Sequence, residues 1–198
     1  ESMKLATFQA RATENILSQL KSNRCSGTIV CAGTGSGKTL SFYLPAFLSI
    51  TQSIDSSDWT RCLAVYPRNE LLKDQLSEAY GQARKLDSLL QSHGKRKLTI
   101  ATLFGATPEH EGYFDFAEPP SGWTRVNGGD ICPFLTCPSS DCQGQMIWRT
   151  EDRKGKVHRL CCSRCSSRTE HDELILTRQR LQSNPADILF TTTEMLNQ

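Results

Sequence analysis

The sequence predicts an α/β fold: a parallel sheet with helices on both faces, interrupted by a small cysteine-rich insert. Three observations carry this prediction. Short apolar runs alternate with stretches of helical periodicity, the order that builds a parallel sheet through crossover helices. A glycine-rich loop, Ala32-Gly33-Thr34-Gly35-Ser36-Gly37-Lys38-Thr39, separates one such run from one such helix. Residues 109–176 then lose the alternation and hold six of the nine cysteines.

Composition narrows the class. The chain has 198 residues, 37% hydrophobic and 22% charged, which fits an ordinary folded chain rather than a disordered one. A net charge of +2 is too small to predict a polyanionic partner by itself. No apolar run approaches membrane-spanning length and no secretory leader is visible, so a cytoplasmic protein without a membrane partner is expected. In that compartment nine cysteines read as thiols or metal ligands rather than disulfides.

Along the chain, Leu5, Phe8, Ala12, Ile16, Leu17 and Leu20 follow helical spacing. Thr28 to Cys31 reads as a buried strand, and Leu40 to Leu48 as the helix beyond the glycine loop. Strand, glycine-rich loop and helix form the setting of a phosphate site. Glycines let backbone N–H groups curl around an anion, and the helix N-terminus adds its dipole. Gly33, Thr34, Gly35, Ser36 and Gly37 would form the cradle. Lys38 would reach the β- and γ-phosphates of ATP, and the Thr39 hydroxyl would hold Mg²⁺.

Cys62 to Tyr66 is the next strand, apolar enough for a sheet covered on both faces. A long helix follows Pro67-Arg68-Asn69 and reaches about Gln91. The basic run Lys95-Arg96-Lys97 precedes a strand from Leu98 to Phe104, and a last strand begins at Asp187. Cys25, Cys31 and Cys62 are expected as small core hydrophobes.

The insert has its own logic. Cys137-x4-Cys142 and Cys162-x2-Cys165 are two knuckles that could present four thiolates to one tetrahedral Zn²⁺, as in a zinc ribbon. Between them, Met146-Ile147-Trp148 and Val157 to Leu160 flank a charged glycine turn, a β-hairpin signature. Cys132 could replace a member of the first pair and Cys161 could replace Cys162. Without metal, so small a module would lack the apolar residues to fold alone. Seven Lys/Arg against two Asp/Glu between Arg149 and Arg168 suggest phosphate contact, with Arg149, Arg153, Lys154, Lys156 and Arg159 as candidates.

Taken in order, several segments resemble motifs of superfamily 2 helicases of the DEAD/DEAH type. Phe8-Gln9-x-x-Ala12 resembles the Q motif. Ala32 to Thr39 resembles motif I, with Ala32 where the strict pattern has glycine. Tyr66-Pro67 to Gln75 resembles motif Ia, Gly105-Ala106-Thr107-Pro108 the G-x-T-P segment, and Asp187 to Leu196 motif Ib, with Thr193 in place of its proline. The resemblance covers nearly the whole chain outside the insert and implies a RecA-like first lobe. It implies that Gln9 reads adenine, and that Pro67, Arg68, Asn69, Gly105, Thr192 and Thr193 lie along the sugar-phosphate backbone. The expected division is 1–108 for the first part of the lobe, 109–176 for the zinc ribbon and 177–198 for the return to the lobe.

No D-E-x-[HD] tetrad occurs in the sequence, so the chain is expected to be a fragment ending before motif II and lacking the second lobe. The parent would be an ATP-driven helicase or translocase, and the fragment alone would be inactive. The "YP" form of motif Ia resembles large bacterial DNA helicases, including those of phage-defence or phosphorothioation-dependent DNA-defence clusters. DNA rather than RNA is the implied partner, with a protein partner open to the ribbon. The alternative is a nucleotide-regulated binding module whose zinc ribbon does the recognition.

Overall fold

The structure, a computed structural model, describes residues 5–22, 25–33, 35–55, 59–116, 118–139 and 141–197. The chain divides into two units, one ending at Ile54 and one beginning at Asp55. In the first, the helical spacing after Leu5 becomes α1 (Thr7–Lys21), and the run beyond the glycine loop becomes α2 (Lys38–Ser53). The two helices pack together. α1 buries Gln9, Ala12 and Thr13, and α2 buries Ser41, Tyr43, Phe47 and Ile50. That shared burial matters because isolated helices of this length are marginal in water.

Two expectations fail in this unit. Residues 25–33 form neither helix nor strand, and Ile29 is 90% exposed. An apolar run becomes a strand only when a neighbour completes its hydrogen-bond ladder. Among the described residues no strand pairs with Thr28–Cys31. Cys25 and Cys31, in this unpaired segment, are exposed rather than in the core; Cys62, in a paired strand of the second unit, is only half-buried.

The second unit runs β1 (Cys62–Tyr66), α3 (Asn69–Arg84), α4 (Asp87–Ser92) and β2 (Ile100–Leu103). It continues with β3 (Thr124–Val126), β4 (Gly129–Thr136), β5 (Gln145–Arg149), α5 (Thr150–Lys154) and β6 (Leu160–Cys162). It closes with β7 (Leu174–Ile175), α6 (Arg178–Ser183), β8 (Ile188–Thr192) and α7 (Thr193–Leu196). The helix expected from Asn69 to Gln91 is thus two, parted at Lys85–Leu86.

A four-stranded sheet has the order β1-β8-β2-β7, with every recorded pairing parallel. Leu72, Leu76, Ala79, Tyr80 and Ala83 of α3 are buried beneath it, at the spacing of one helix face. β1 alternates half-buried and exposed residues, leaving Leu63 and Val65 open, so this edge is not covered on both faces in its own unit.

Asp187 holds the amino ends of these strands together. Its carboxylate is fully buried and accepts from Arg61 Nη1 at 2.7 Å and from Arg96 Nη1 and Nη2 at 2.6 and 2.9 Å. Thr99 donates its N–H at 3.0 Å and its hydroxyl at 3.1 Å. Arg96, from the basic run that precedes β2, therefore spends its guanidinium on the core. Asp187→Ala would strand two guanidinium groups against a buried wall. The expected loss is about 3–5 kcal/mol of unfolding free energy, measured by urea denaturation; a loss under about 1 kcal/mol would contradict this role.

The second sheet is antiparallel, β3-β4-β5-β6, and forms the body of the insert. Its hairpin turns through α5, a single helical turn, rather than through a simple loop. Its centre is aromatic, which corrects the expectation of a module without an apolar core. Phe114 lies 4.9 Å from Trp123 and 5.5 Å from Trp148, and Trp123 lies 5.6 Å from Phe134, all edge-on. Phe134 also meets Phe104 at the end of β2, at 5.8 Å. The indole of Trp123 donates to the Ala106 carbonyl at 2.8 Å. The module is therefore anchored to the parallel sheet by packing as well as by chain connection.

His158 fastens the two stems of the insert. Its ring is fully buried; Nδ1 accepts from the Leu176 N–H at 3.0 Å, so Nε2 carries the proton given to Glu111 at 2.9 Å. Burial lowers the pKa of His158, against the pull of Glu111. Burial would raise Glu111, but the bond from His158 and its own backbone bring it below the usual value. Both shifts act in one direction. The unfolded chain binds more protons, at the imidazole below about pH 6.5 and at the carboxylate below about pH 4.5, so stability falls as pH falls through each window. His158→Phe should remove the upper part of this acid sensitivity. Unfolding midpoints at about pH 7.5 and about pH 5.5, with zinc in equal excess, would show it as a smaller difference than in the parent. An equal difference would deny His158 this part.

Candidate nucleotide, strand and metal sites

The glycine loop is shaped by its backbone. Gly35 and Gly37 adopt φ of 72° and 78°, a region a side chain would strain. Gly37 caps α2, and a Cβ there would lie 2.8 Å from Gln9 Nε2. Lys38 Nζ donates to the carbonyls of Ala32 at 2.7 Å and Gly33 at 2.8 Å, and Ser36 Oγ donates to Gly33 at 2.7 Å. The ammonium thus closes the loop on itself, over oxygen atoms that phosphate oxygens could replace. Thr39 sits half-buried in the first turn of α2; Thr34 lies outside the described residues.

Gln9 is brought to this loop from α1. Its Oε1 accepts from the Ala6 N–H at 2.8 Å and its Nε2 donates to the Gly37 carbonyl at 3.0 Å. One N–H and one oxygen lone pair remain on the amide plane, the pair an adenine edge can take. The residues present therefore fit an adenine nucleotide and its Mg²⁺: a flat donor–acceptor, a glycine cradle, an ammonium and a helix-start hydroxyl.

The strand-contact candidates lie in the second unit. Parallel register sets Tyr66 beside Thr192 and Leu103 beside Thr191. Three neighbouring strands therefore end at one edge. Pro67, Arg68 and Asn69 leave β1 there, Gly105 follows β2, and Thr192 and Thr193 follow β8. Pro67, Arg68, Asn69, Gly105 and Thr193 are exposed. Thr192 is 3% exposed and its oxygen caps α7 by accepting from the Met195 N–H at 3.4 Å, so its hydroxyl serves the backbone rather than the surface. The N-termini of α3 and α7 bring free N–H groups to the same edge.

Four cysteines meet. The thiols of Cys137, Cys142, Cys162 and Cys165 lie within 4.8 Å of one another, with Cys137–Cys165 and Cys142–Cys162 each at 3.6 Å. The two other cysteines of the insert stand apart. Cys132 is buried within the module, its thiol pushed up to about 12 by burial, and Cys161 sits on the opposite face of β6 from Cys162. Hydrogen bonds from the Ser167 side chain and backbone bring Cys165 down to about 6. Burial raises Cys137 to about 12, so a cation is needed before all the thiols ionise. N–H groups of Gly144 and Arg164 donate to Cys142 and Cys162 at 3.3 Å each, the turn geometry that orients a sulfur toward a metal. The donor set and its second layer fit Zn²⁺.

The basic hairpin is reapportioned. Arg153 is buried, bound to Asp115 at 2.9 Å and the Glu111 carbonyl at 3.2 Å, and stacked on Phe114 at 5.1 Å. It braces the module and is not a surface cation. Lys154 and Lys156 remain exposed. The pair Asp172-Glu173 begins a sequence that departs from D-E-x-[HD] in its last place. It is also committed to structure: Asp172 pairs with Arg180, and Glu173 binds Lys97 at 2.7 Å and the Tyr80 hydroxyl at 2.8 Å.

Sequence reasoning missed the His158–Glu111 pair and the core roles of Arg96 and Arg153. Each arginine meets a buried aspartate, Asp187 or Asp130, that only the folded topology brings close. Among the described residues no helix is long and apolar enough to cross a membrane. Neither the curated proteins nor the solved structures offer a match. A family profile described as DEAD/DEAH box helicase matches residues 6–110, from the helix that carries Gln9 through the G-x-T-P segment. With more than half its length matched and the glycine loop and strand-end segments in family order, the chain belongs to the DEAD/DEAH box helicase family.

Proposed function

We propose that this chain is the first RecA-like lobe of an ATP-driven translocase acting on DNA, with a zinc ribbon inserted between β2 and β7 rather than reaching residue 176, since Leu174–Ile175 pairs with β2. Family membership brings ATP-dependent, helicase-type activity on nucleic acid. Gln9, Gly33 to Thr39 and Mg²⁺ would hold the nucleotide; Pro67, Arg68, Asn69, Gly105 and Thr193 would follow the strand; and Cys137, Cys142, Cys162 and Cys165 would hold Zn²⁺. The carrying observation is the convergence of three strand ends at one edge, with exposed backbone and a cation beside two helix starts. Such an edge suits a sugar-phosphate chain, which offers a repeating anion rather than a base pattern. The "YP" form of motif Ia supports DNA over RNA and a bacterial defence setting.

The group that positions water against the γ-phosphate is not among these residues, since no D-E-x-[HD] tetrad occurs. Hydrolysis therefore requires a carboxylate supplied elsewhere, and this chain alone should bind nucleotide with little turnover. The same gap favours the second reading, a nucleotide-regulated binding module. ATP turnover by the protein carrying this lobe, with single-stranded DNA, duplex DNA or RNA present, separates the two. Stimulation by DNA above RNA supports the motor; no turnover with any of them supports the binding module.

A further inference from the structure

The outer face of the ribbon sheet gathers three arginines. β5 alternates, with Met146 and Trp148 buried and Gln145, Ile147 and Arg149 turned outward. Register pairs Ile147 with Cys161, so one step further Arg149 faces Arg159. On its other side Cys161 bridges to Arg168. Arg149, Arg159 and Arg168, with Ser166 and Ser167, line a concavity of about 380 Å³ that Glu151, Asp152 and the metal-site cysteines Cys162 and Cys165 also border. Like charges opposed across a ladder destabilise it unless something anionic lies between them.

The carboxylates nearby do not satisfy these groups. Arg149 is 3.8 Å from Glu151, Arg159 is 3.5 Å from Asp152, and Arg168 is 3.5 Å from Glu170. Charge-assisted hydrogen bonds are shorter, about 2.7–2.9 Å. Among the described residues none of the three guanidinium groups makes a hydrogen bond; Arg159 Nε is buried without a partner, as are Arg61 Nε and Arg153 Nε, whose terminal nitrogens are nonetheless bonded. The contrast lies within the same unit, where Arg61 and Arg96 bind Asp187 at 2.7 and 2.6 Å. Arginines that are structural here are tightly bound; these three are not.

We infer that this concavity is a phosphate site, formed by Arg149, Arg159 and Arg168, that holds a backbone phosphate of the nucleic-acid strand. Forked guanidinium donors and two serine hydroxyls match the several oxygens of a phosphate better than a single carboxylate. The strand as source rests on the function proposed above; the oxyanion chemistry does not.

The test uses the zinc-loaded chain, its triple variant Arg149→Gln/Arg159→Gln/Arg168→Gln, and Arg168→Gln alone, whose side chain is more than half exposed and outside the core. Labelled oligo-dT and oligo-U are titrated between about 50 and 200 mM salt, and inorganic phosphate is titrated by calorimetry. The triple variant should weaken strand binding at least about tenfold at low salt and flatten the log–log salt slope by about 0.7, the share of one phosphate; Arg168→Gln should weaken binding by less. Zinc content should stay at that of the parent. Unchanged affinity and slope with zinc intact would overturn the site. So would loss of zinc in both variants, which would make the arginines counter-ions of the tetrathiolate centre. Stronger binding of poly-glutamate, lost in the triple variant while strand binding stays, would overturn the phosphate assignment in favour of an acidic protein. If the parent binds neither strand, the nucleic-acid reading fails and the phosphate arm decides: binding lost in the triple variant keeps the site for free phosphate, and no binding by the parent overturns it.

Discussion

Cys165→Ser is expected to take the protein from about one bound zinc to none, the largest single change a substitution in the insert can cause. Structural zinc contributes about 10–16 kcal/mol of apparent binding free energy at neutral pH, and a hydroxyl cannot replace a thiolate in that set. Cys165 pairs with Cys137 at 3.6 Å, and hydrogen bonds from Ser167 ease its ionisation, so it offers the metal a ready thiolate. The aromatic centre of Phe114, Trp123, Phe134 and Trp148 should nonetheless keep its fold, because it packs without help from the knuckles. Metal analysis should read zero and near-ultraviolet circular dichroism should persist. Cys161→Ser, on the other face of β6, should keep its zinc. Full zinc in the Cys165 variant, or loss in the Cys161 variant, would redraw the ligand set.

Lys38→Ala is expected to lower ATP turnover of the hydrolysing protein by at least about a hundred- to a thousandfold, the cost of removing one preorganised electrostatic group from a reacting centre. Lys38 is held by the Ala32 and Gly33 carbonyls at 2.7 and 2.8 Å, so the ammonium already sits at the mouth of the loop. A phosphate entering there exchanges those carbonyls for more strongly charged oxygens. The variant retains Gln9, whose contacts are made to Ala6 and Gly37 and do not involve Lys38. Turnover within about tenfold of the parent would place the transferring phosphate elsewhere.

What the sequence revealed and concealed follows from the range of the forces involved. Local patterns were legible. The glycine loop, the five apolar residues of β1 and the spacing of α1 each depend on near neighbours. The two knuckles were legible as well, because turns that present thiols have short, fixed spacings. Non-local pairing was not legible. Thr28–Cys31 has the apolar residues of a strand but no ladder partner among those described, so composition alone misassigned it. Arg153 and Arg96 looked like surface cations because nothing in a linear sequence marks the buried Asp130 and Asp187 that receive them. The same blindness hid Arg168. It lies across a β-bridge from Cys161 and joins Arg149 and Arg159 only when the ribbon sheet forms.

The most direct measurement is a calorimetric titration of the zinc-loaded chain with Mg·ATP and, separately, with Mg·GTP. On the proposed assignment of Gln9 to adenine and of the glycine loop to the phosphates, ATP should bind saturably with about one equivalent, and GTP at least about tenfold more weakly, because guanine offers the Gln9 amide an acceptor where adenine offers a donor. Lys38→Ala should weaken ATP binding. Equal affinity for the two nucleotides, or ATP binding unchanged in the Lys38 variant, would contradict the nucleotide site on which the motor reading depends.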